Sequence, residues 1–113
     1  MHYMTVTECR VSLGRMQDFV SQVQQWEQDA WASSQAPEFH GVYLQEADPS
    51  RVLLVTQFTS REAAEAFASS GLTARFRERV VNCTETPPGE PEGFDLFYAS
   101  LADGSRVVFG QDG

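Results

Sequence analysis

The hydrophobic pattern is most distinctive at residues 51–58, where both faces of a predicted β-strand are apolar. An antiparallel sheet with one face in water alternates apolar and polar residues, so this strand predicts a sheet that is covered on both faces. A chain of 113 residues has enough helix to cover only one face, and we expect a second copy of the chain to cover the other. The pattern therefore predicts a homodimer that pairs through the sheet face. The two faces consist, respectively, of Val52, Leu54, Thr56 and Phe58, and of Leu53, Val55 and Gln57.

The residues before this strand predict a strand, a helix and a second strand. Residues 4–11 are rich in Thr and Val, which are typical of strands. Residues 15–33 carry apolar side chains at the i, i+3, i+4, i+7 spacing of an amphipathic helix, and Trp26 falls on this stripe as a core residue. A strand is predicted at 41–46, followed by an Asp-Pro turn at 47–50.

A broken helix is predicted after the two-sided strand. Thr59 and Ser60 are both favourable N-caps, and Glu62 lies three residues after Thr59, as in a capping box. The Ser-Ser-Gly sequence at 69–71 interrupts the helical pattern. A second helical segment is predicted over residues 72–81.

The C-terminal part of the chain predicts a surface segment and a hairpin. Residues 82–93 hold three prolines and two glycines, which is typical of a surface crossing. A fourth strand is predicted at 94–101. The Asp-Gly pair at 103–104 is a strong hairpin signal, and a short return strand is predicted at 105–109.

The order of these elements is β-α-β-β-α-β, which is that of the α+β ferredoxin-like fold. We therefore predict an antiparallel sheet with helices on one face. Residues 1–113 are expected to form a single domain, with a C-terminal hairpin over residues 94–109.

Composition and charge indicate which classes of binding partner are disfavoured and in which compartment the protein is expected. The net charge of −8 disfavours binding to nucleic acid and to an anionic membrane surface, because both need a basic face. No run of about 18 apolar residues is present to span a membrane, and the N-terminus lacks the pattern of a secretory signal. Cys9 and Cys83 form no disulfide framework. We expect a cytoplasmic protein with two reduced thiols.

Three segments together resemble the antibiotic biosynthesis monooxygenase family. The resemblance extends over about residues 4–101, and it implies a dimeric α+β barrel. Members of that family include cofactor-free oxygenases of phenolic polyketides, quinol oxidases and haem-degrading enzymes. The segments are Pro37-Glu38-Phe39-His40-Gly41-Val42, Thr56-Gln57-Phe58-Thr59-Ser60, and Glu62-Ala63 with Phe67.

Several functional positions of the family hold different residues in this chain. Thr7, Phe67 and Phe76 occupy positions where haem-degrading relatives carry an Asn, a Trp and a His ligand. Leu54 and Phe58 occupy positions where polyketide-oxidising relatives carry an Asn and a Trp. These replacements make haem binding by that route an unfavourable hypothesis.

His40 and Arg79 are the candidate catalytic residues. A histidine at the start of a strand can take a proton from a phenol; the alternative is a histidine that hydrogen-bonds the backbone. Arg79 falls at the edge of the apolar face of its helix, where it can hold a phenolate or a carboxylate. The alternative for Arg79 is an ion pair with one of the acidic residues.

Four aromatic residues are candidates for ligand binding. Trp31 and Tyr43 are predicted to form walls of a cavity, and Phe67 and Phe76 occupy the positions implied by the resemblance. The alternatives are rim packing for Trp31 and an interface role for Tyr43. No metal-ligand spacing and no glycine-rich nucleotide loop is present, so we predict no metal and no cofactor.

Two functions are therefore carried forward. The first is a cofactor-independent monooxygenase of the antibiotic-biosynthesis type, acting on a small aromatic or quinol-like substrate. The second is a non-catalytic dimeric protein that binds a small apolar ligand or has a structural role. The replaced polar positions favour the second hypothesis, and the resemblance favours the first.

Overall fold

A computed structural model describes residues 2–108 of the chain. Its main body is a four-stranded antiparallel sheet with the helices packed on one face. The strands are Tyr3–Arg10 (β1), Phe39–Leu44 (β2), Arg51–Phe58 (β3), Glu92–Asp95 (β4), Tyr98–Ser100 (β5) and Arg106–Val108 (β6). The helices are Met16–Trp31 (α1), Arg61–Ala68 (α2) and Leu72–Arg79 (α3), followed by a 3₁₀ turn at Val81–Cys83.

The sheet has the strand order β2-β3-β1-β4, and every neighbouring pair is antiparallel. β1 and β3 lie at its centre and pair over their full length, from Tyr3 opposite Phe58 to Arg10 opposite Arg51. The predicted ferredoxin-like architecture, with α1 after β1 and the broken second helix before β4, is confirmed. No helix among the described residues is long and apolar enough to cross a membrane.

The two faces of β3 differ in their surroundings. Positions that face the helices are buried, whereas the alternate positions are only partly covered. Leu53 and Val55 lie on the second face, as predicted, and no helix of the described chain packs over them. The apolar character of both faces is therefore confirmed, but one chain covers only one of them.

The core forms where the apolar stripe of α1 meets the helix-facing side of the sheet. Phe19 is fully buried and contacts Phe76 of α3 edge to face, with ring centroids 6.2 Å apart. Val52 of β3 and Val80, just after α3, are also fully buried. Each such side chain contributes about 1.5–3 kcal/mol of burial free energy, so this layer carries most of the stability.

The start of α2 differs from the prediction by one residue. Ser60 is the N-cap, and its hydroxyl accepts a hydrogen bond from the backbone N–H of Ala63 at 3.0 Å. The predicted capping box from Thr59 to Glu62 is therefore wrong, because Glu62 is the second helical residue and not the third. Glu62 still lies in the first turn, where its negative charge interacts favourably with the helix dipole and stabilises α2.

The fourth strand was predicted as one piece and is two. β4 ends at Asp95 and pairs with β1, whereas β5 pairs with β6 in a separate two-stranded sheet. The N–H of Leu96 still donates to the carbonyl of His2 at 2.7 Å, and the break between the two strands lies at Leu96 and Phe97. The return strand covers Arg106–Val108, and position 109 lies outside the described residues.

A proline-rich loop, residues 84–91, runs beside the free half of β1. The N–H of Glu85 donates to the carbonyl of Arg10 at 2.9 Å, and the N–H of Gly89 donates to that of Glu8 at 3.0 Å. These bonds continue the edge of the sheet where β4 stops. The loop is a crossing, as predicted, but its Pro88 is buried.

We expect Phe19→Ala to lower the free energy of unfolding by about 3–5 kcal/mol, because it empties a fully buried site. Val20→Ala is the matched control, since Val20 is the next residue of α1 and is 37% exposed. Urea denaturation followed by circular dichroism measures both. Equal losses for the two variants would contradict the placement of α1.

Candidate functional site

A cavity of about 130 Å³ lies between the helices and the sheet. It is the region where the core is not completely filled. Its lining comes from all three helices, from strands β1, β2 and β3, and from the proline-rich loop. The lining residues are Thr5, Thr7, Val23, Trp26, His40, Leu54, Thr56, Phe58, Ala64, Phe67, Ala68, Thr73, Phe76, Arg77, Pro88 and Pro91.

The floor of the cavity is a polar row across the sheet. His40 of β2 lies directly opposite Thr56 of β3, and Thr56 lies directly opposite Thr5 of β1. Residues that are directly opposite on antiparallel strands project to the same face, with Cβ atoms about 4.5–5.5 Å apart. Thr7 lies in the adjacent row, opposite Leu54. One imidazole and three hydroxyl groups thus share the helix-facing surface.

The walls of the cavity are aromatic. Trp26 of α1 contacts Phe67 of α2 at 5.7 Å and Phe76 of α3 at 6.4 Å between ring centroids, both edge to face. Phe58, at the end of β3, lies 5.7 Å from Phe67. Aromatic walls of this kind favour a flat apolar ligand.

His40 is the titratable group of the floor, and its side chain is only 3% exposed. Its Nδ1 lies 3.0 Å from Oε2 of Glu27 on α1. Its ring also packs against that of Trp26, the residue before Glu27, with centroids 4.6 Å apart and the ring planes tilted by 48°. Two successive residues of α1 therefore hold the imidazole, and Nε2 is left as the nitrogen that can serve a ligand.

Burial lowers the pKa of His40 from its ordinary value of 6.5, because water is removed from the charged form. Glu27 acts in the opposite direction and raises this pKa, but with the smaller effect. The imidazole is therefore neutral at pH 7. A neutral imidazole with Nδ1 fixed by a carboxylate can accept a proton at Nε2.

Arg77 holds the proline-rich loop against the cavity. Its guanidinium donates to the carbonyl of Pro88 at 2.6 Å and to that of Gly89 at 2.7 Å. Glu90 lies 3.6 Å from the same group but is almost fully exposed, so its charge is screened by water. Arg77 is the only lining residue of the described chain with a permanent charge.

The structure brings three of the predicted site residues together and leaves three apart. His40, Phe67 and Phe76 line the cavity. Arg79 does not; its Nε donates to Gln22 on α1 at 3.0 Å. Two further predicted ligand residues lie elsewhere: Trp31 is 48% exposed at the end of α1, and Tyr43 is 52% exposed on the face of the sheet away from the helices.

Several lining residues were not anticipated from the sequence. Thr5 and Thr7 alternate along β1, and this spacing already places them on one face. Trp26 was assigned to the core and is buried, yet it also lines the cavity, and its Nε1–H has no hydrogen-bond partner. Arg77 directly follows Phe76 in the sequence. It lines the cavity because its guanidinium donates to the proline-rich loop, and the path of that loop is not evident from the sequence.

The described residues offer no cluster of three or more His, Cys, Asp or Glu side chains that could hold a metal ion. Cys9 and Cys83 are buried and unbonded to each other. Burial raises the pKa of the Cys9 thiol to about 11, so it is protonated and unreactive at neutral pH. Neither thiol lines the cavity.

We expect the pKa of His40 to lie below 6.5 in the folded protein and to fall further in Glu27→Gln, which removes the partner that favours the imidazolium. NMR titration of the ring protons measures both values. Since the unfolded chain binds the proton first, stability should decrease as the pH falls from about 6.5 to the folded pKa. His40→Gln should remove that decrease. A rise of the pKa in Glu27→Gln would contradict the assignment.

Comparison with known proteins gives structural neighbours only. No family model and no curated protein matches the chain. Three solved structures each named "putative antibiotic biosynthesis monooxygenase" superpose well. The protein from Nitrosomonas europaea has a TM-score of 0.67 at 15% identity, over 83% of this chain and 97% of that one. The protein from Bordetella bronchiseptica has a TM-score of 0.68 at 18% identity, over 85% and 98%.

The third, from Caulobacter crescentus, has a TM-score of 0.71 at 10% identity, over 83% of this chain and 88% of that one. A likeness at this level of identity concerns the fold alone. The resemblance that the sequence motifs predicted is confirmed in the architecture. The chain has the fold of the antibiotic biosynthesis monooxygenases.

Proposed function

We propose that the protein is a cofactor-independent monooxygenase that acts on a small phenolic or quinol-like substrate. One observation carries the proposal: a buried, neutral His40 lies in an aromatic cavity with one ring nitrogen held by Glu27. Such a pair has the arrangement of a general base and its orienting carboxylate. The structural neighbours named as monooxygenases share this fold.

The first step is the removal of a proton from the substrate hydroxyl by Nε2 of His40. Glu27 keeps the opposite nitrogen protonated and stabilises the imidazolium that forms. A positioned base of this kind contributes about 10²–10⁴-fold to the rate. The depressed pKa of His40 keeps the base in its neutral, active form at pH 7.

The second step uses the phenolate itself as the reductant of O₂. A ring C–H ortho or para to the phenolic oxygen becomes C=O, and the phenolic carbon also becomes C=O. One oxygen atom of O₂ enters the quinone product, and the other leaves as water with the two hydrogens that the substrate loses. Atoms and electrons balance without a metal or a flavin.

The surroundings of His40 suit an anionic intermediate. The hydroxyl groups of Thr5 and Thr56 lie in the same row and can donate hydrogen bonds to the phenolate oxygen. The aromatic walls exclude water, which strengthens these interactions. The charge of Arg77 lies on the same cavity and favours the anion over the neutral phenol.

The non-catalytic hypothesis is supported by the apolar positions of the same cavity. Leu54, Phe58 and Phe67, which replace polar or indole groups of the oxygenase relatives, all line it. On this hypothesis the cavity binds a small apolar molecule, and His40 only hydrogen-bonds it. The two hypotheses differ in whether oxygen is consumed.

We expect oxygen uptake with phenols or quinols in the absence of added metal and flavin, and a loss of about 10²–10⁴-fold in His40→Gln. Arg79→Gln, a sequence-predicted catalytic position that lies outside the cavity, should retain the activity. An oxygen electrode and detection of the quinone measure both. Binding of the phenols without uptake would support the non-catalytic hypothesis, and uptake unchanged in His40→Gln would exclude His40 as the base.

The second face of the sheet supports the predicted homodimer. Phe39, Tyr43 and Phe94 are each between 38% and 52% exposed there, and Val55 lies among them at the centre of the sheet. A contiguous apolar surface of this kind is typical of an interface. We propose that a second copy covers it, as in the dimeric barrel that the resemblance implies.

The cytoplasmic location stays a prediction, and two unpaired buried thiols are in keeping with a reducing compartment.

We expect sedimentation at twice the chain mass at micromolar concentration, and dissociation in Val55→Lys, because a buried unpaired charge opposes pairing. Val20→Lys on the outer side of α1 is the matched control and should leave the mass unchanged. Analytical ultracentrifugation measures all three proteins. A monomeric wild-type protein would contradict the dimer.

A further inference from the structure

The volume of the cavity limits the ligand to one ring. An engineered apolar cavity of about 150 Å³ in another protein binds benzene, and the cavity here measures about 130 Å³. Interiors at native packing density yield little to a larger ligand without displacing side chains. A fused two- or three-ring molecule would have to displace side chains or extend out of the cavity, although the resemblance implies polycyclic substrates.

The two polar ends of the cavity lie toward opposite edges of the sheet, on the same helix-facing side. His40 is on β2, the edge strand, and the row from His40 through Thr56 to Thr5 crosses three strands. Two strand spacings amount to about 10 Å. The proline-rich loop lies beyond β1, because Gly89 donates to Glu8 on its far side. Arg77 holds that loop, so its guanidinium is at the end of the cavity away from His40.

The end at Arg77 is also the open end. Pro91 of the loop that Arg77 holds is exposed, and the side chain of Arg77 is 27% exposed, whereas Trp26 and Phe76 are buried. The two bonds from Arg77 to the loop carbonyls use one N–H of each terminal nitrogen. A guanidinium has five N–H donors, so these two bonds do not use all the donors of Arg77, and the acidic side chain beside it, Glu90, is exposed to solvent.

The charge of the site is unusual for this protein. The chain has a net charge of −8, so its overall field repels anions. Arg77 nevertheless places one positive charge at the open end, next to an apolar interior, and Glu90, which lies 3.6 Å from it, is exposed to solvent. A neutral ligand would make no use of this charge.

We propose that the ligand is a single-ring phenol that carries one anionic group, such as a carboxylate, on the side of the ring opposite its hydroxyl. The anionic group binds Arg77 at the open end, the ring lies against the aromatic wall that includes Trp26 and Phe76, and the hydroxyl reaches the row of His40 and Thr56. This inference rests on the proposed function for the role of His40 and adds the size, charge and orientation of the substrate. Arg77 is thereby a specificity-determining residue.

Binding of three probes by isothermal titration calorimetry tests the proposal. 4-Hydroxybenzoate has the proposed chemistry, 4-hydroxybenzamide has the same shape without the charge, and 6-hydroxy-2-naphthoate adds one ring. We expect 4-hydroxybenzoate to bind about tenfold or more tightly than the amide, since a charge-assisted pair is stronger than a neutral one. The naphthoate should bind more weakly than 4-hydroxybenzoate.

Variants of α3 assign the preference to one side chain. Arg77→Gln should reduce the ratio of the two affinities to near one, whereas Arg77→Lys, which keeps the charge, should retain part of it. Arg79→Gln is the matched control, because Arg79 is on the same helix but bonds Gln22. The melting temperature of each variant is measured, so that loss of the loop contacts of Arg77 is separated from loss of binding.

The position of the ligand is measured in a Trp31→Phe background, where Trp26 gives the only indole N–H signal in ¹⁵N NMR. We expect 4-hydroxybenzoate to shift this signal in proportion to saturation. An unshifted signal, equal affinity for acid and amide, tighter binding of the naphthoate, or a preference that survives Arg77→Gln would each overturn the proposal.

The outcomes also separate this inference from the proposed function. Selective binding of 4-hydroxybenzoate without oxygen uptake supports the ligand class and overturns the oxygenase. Oxygen uptake with neutral phenols and no preference for the anion overturns the ligand class and leaves the oxygenase. Absence of binding by every one-ring phenol overturns the ligand class outright.

Discussion

The packing of the apolar stripe of α1 on the helix-facing side of the sheet is the interaction on which the rest of the structure depends. Phe19 and Val23 fill the space above β3 and leave almost nothing exposed. Because the next turn of the same helix carries Trp26 and Glu27, the packing that stabilises the domain also determines where the candidate base is held. A rotation of α1 would separate Glu27 from His40 and would at the same time expose the core.

The cavity follows from what the core leaves unfilled. Toward the proline-rich loop the sheet presents threonines and the helices present aromatic rings, and these do not close on each other. The loop borders that side, and it is held in place because Arg77 donates to two of its carbonyl groups. A proline-rich segment has few N–H donors of its own, so an external donor to its carbonyls is an effective means of holding it. The side chain of Arg77 thus both holds the loop and, in our proposal, selects the ligand.

The sequence predicted some parts of the site and missed others for identifiable reasons. His40 was found because it is a histidine at the start of a predicted strand, where it can act as a base, and the structure places it opposite Thr56 on the helix-facing side. Arg79 was predicted, and Arg77 was not considered, because helical spacing from Leu72 and Phe76 places Arg79 at the edge of the apolar face. That argument is local to the helix, whereas the partners of the two arginines are Gln22, 57 residues away, and Pro88 and Gly89 of the loop.

The sequence by itself determined the order of elements, the two apolar faces of β3 and the stripe of α1, because these depend on periods of 2 and 3.6 residues that neighbouring positions already show. It also carried the motifs that indicated the fold. Only the tertiary structure decided that Glu27 meets His40, that Trp26 lines a cavity, and that the strand predicted at 94–101 divides between two sheets. Those outcomes depend on distances between segments remote in the chain, and no local pattern of hydrophobicity encodes such distances.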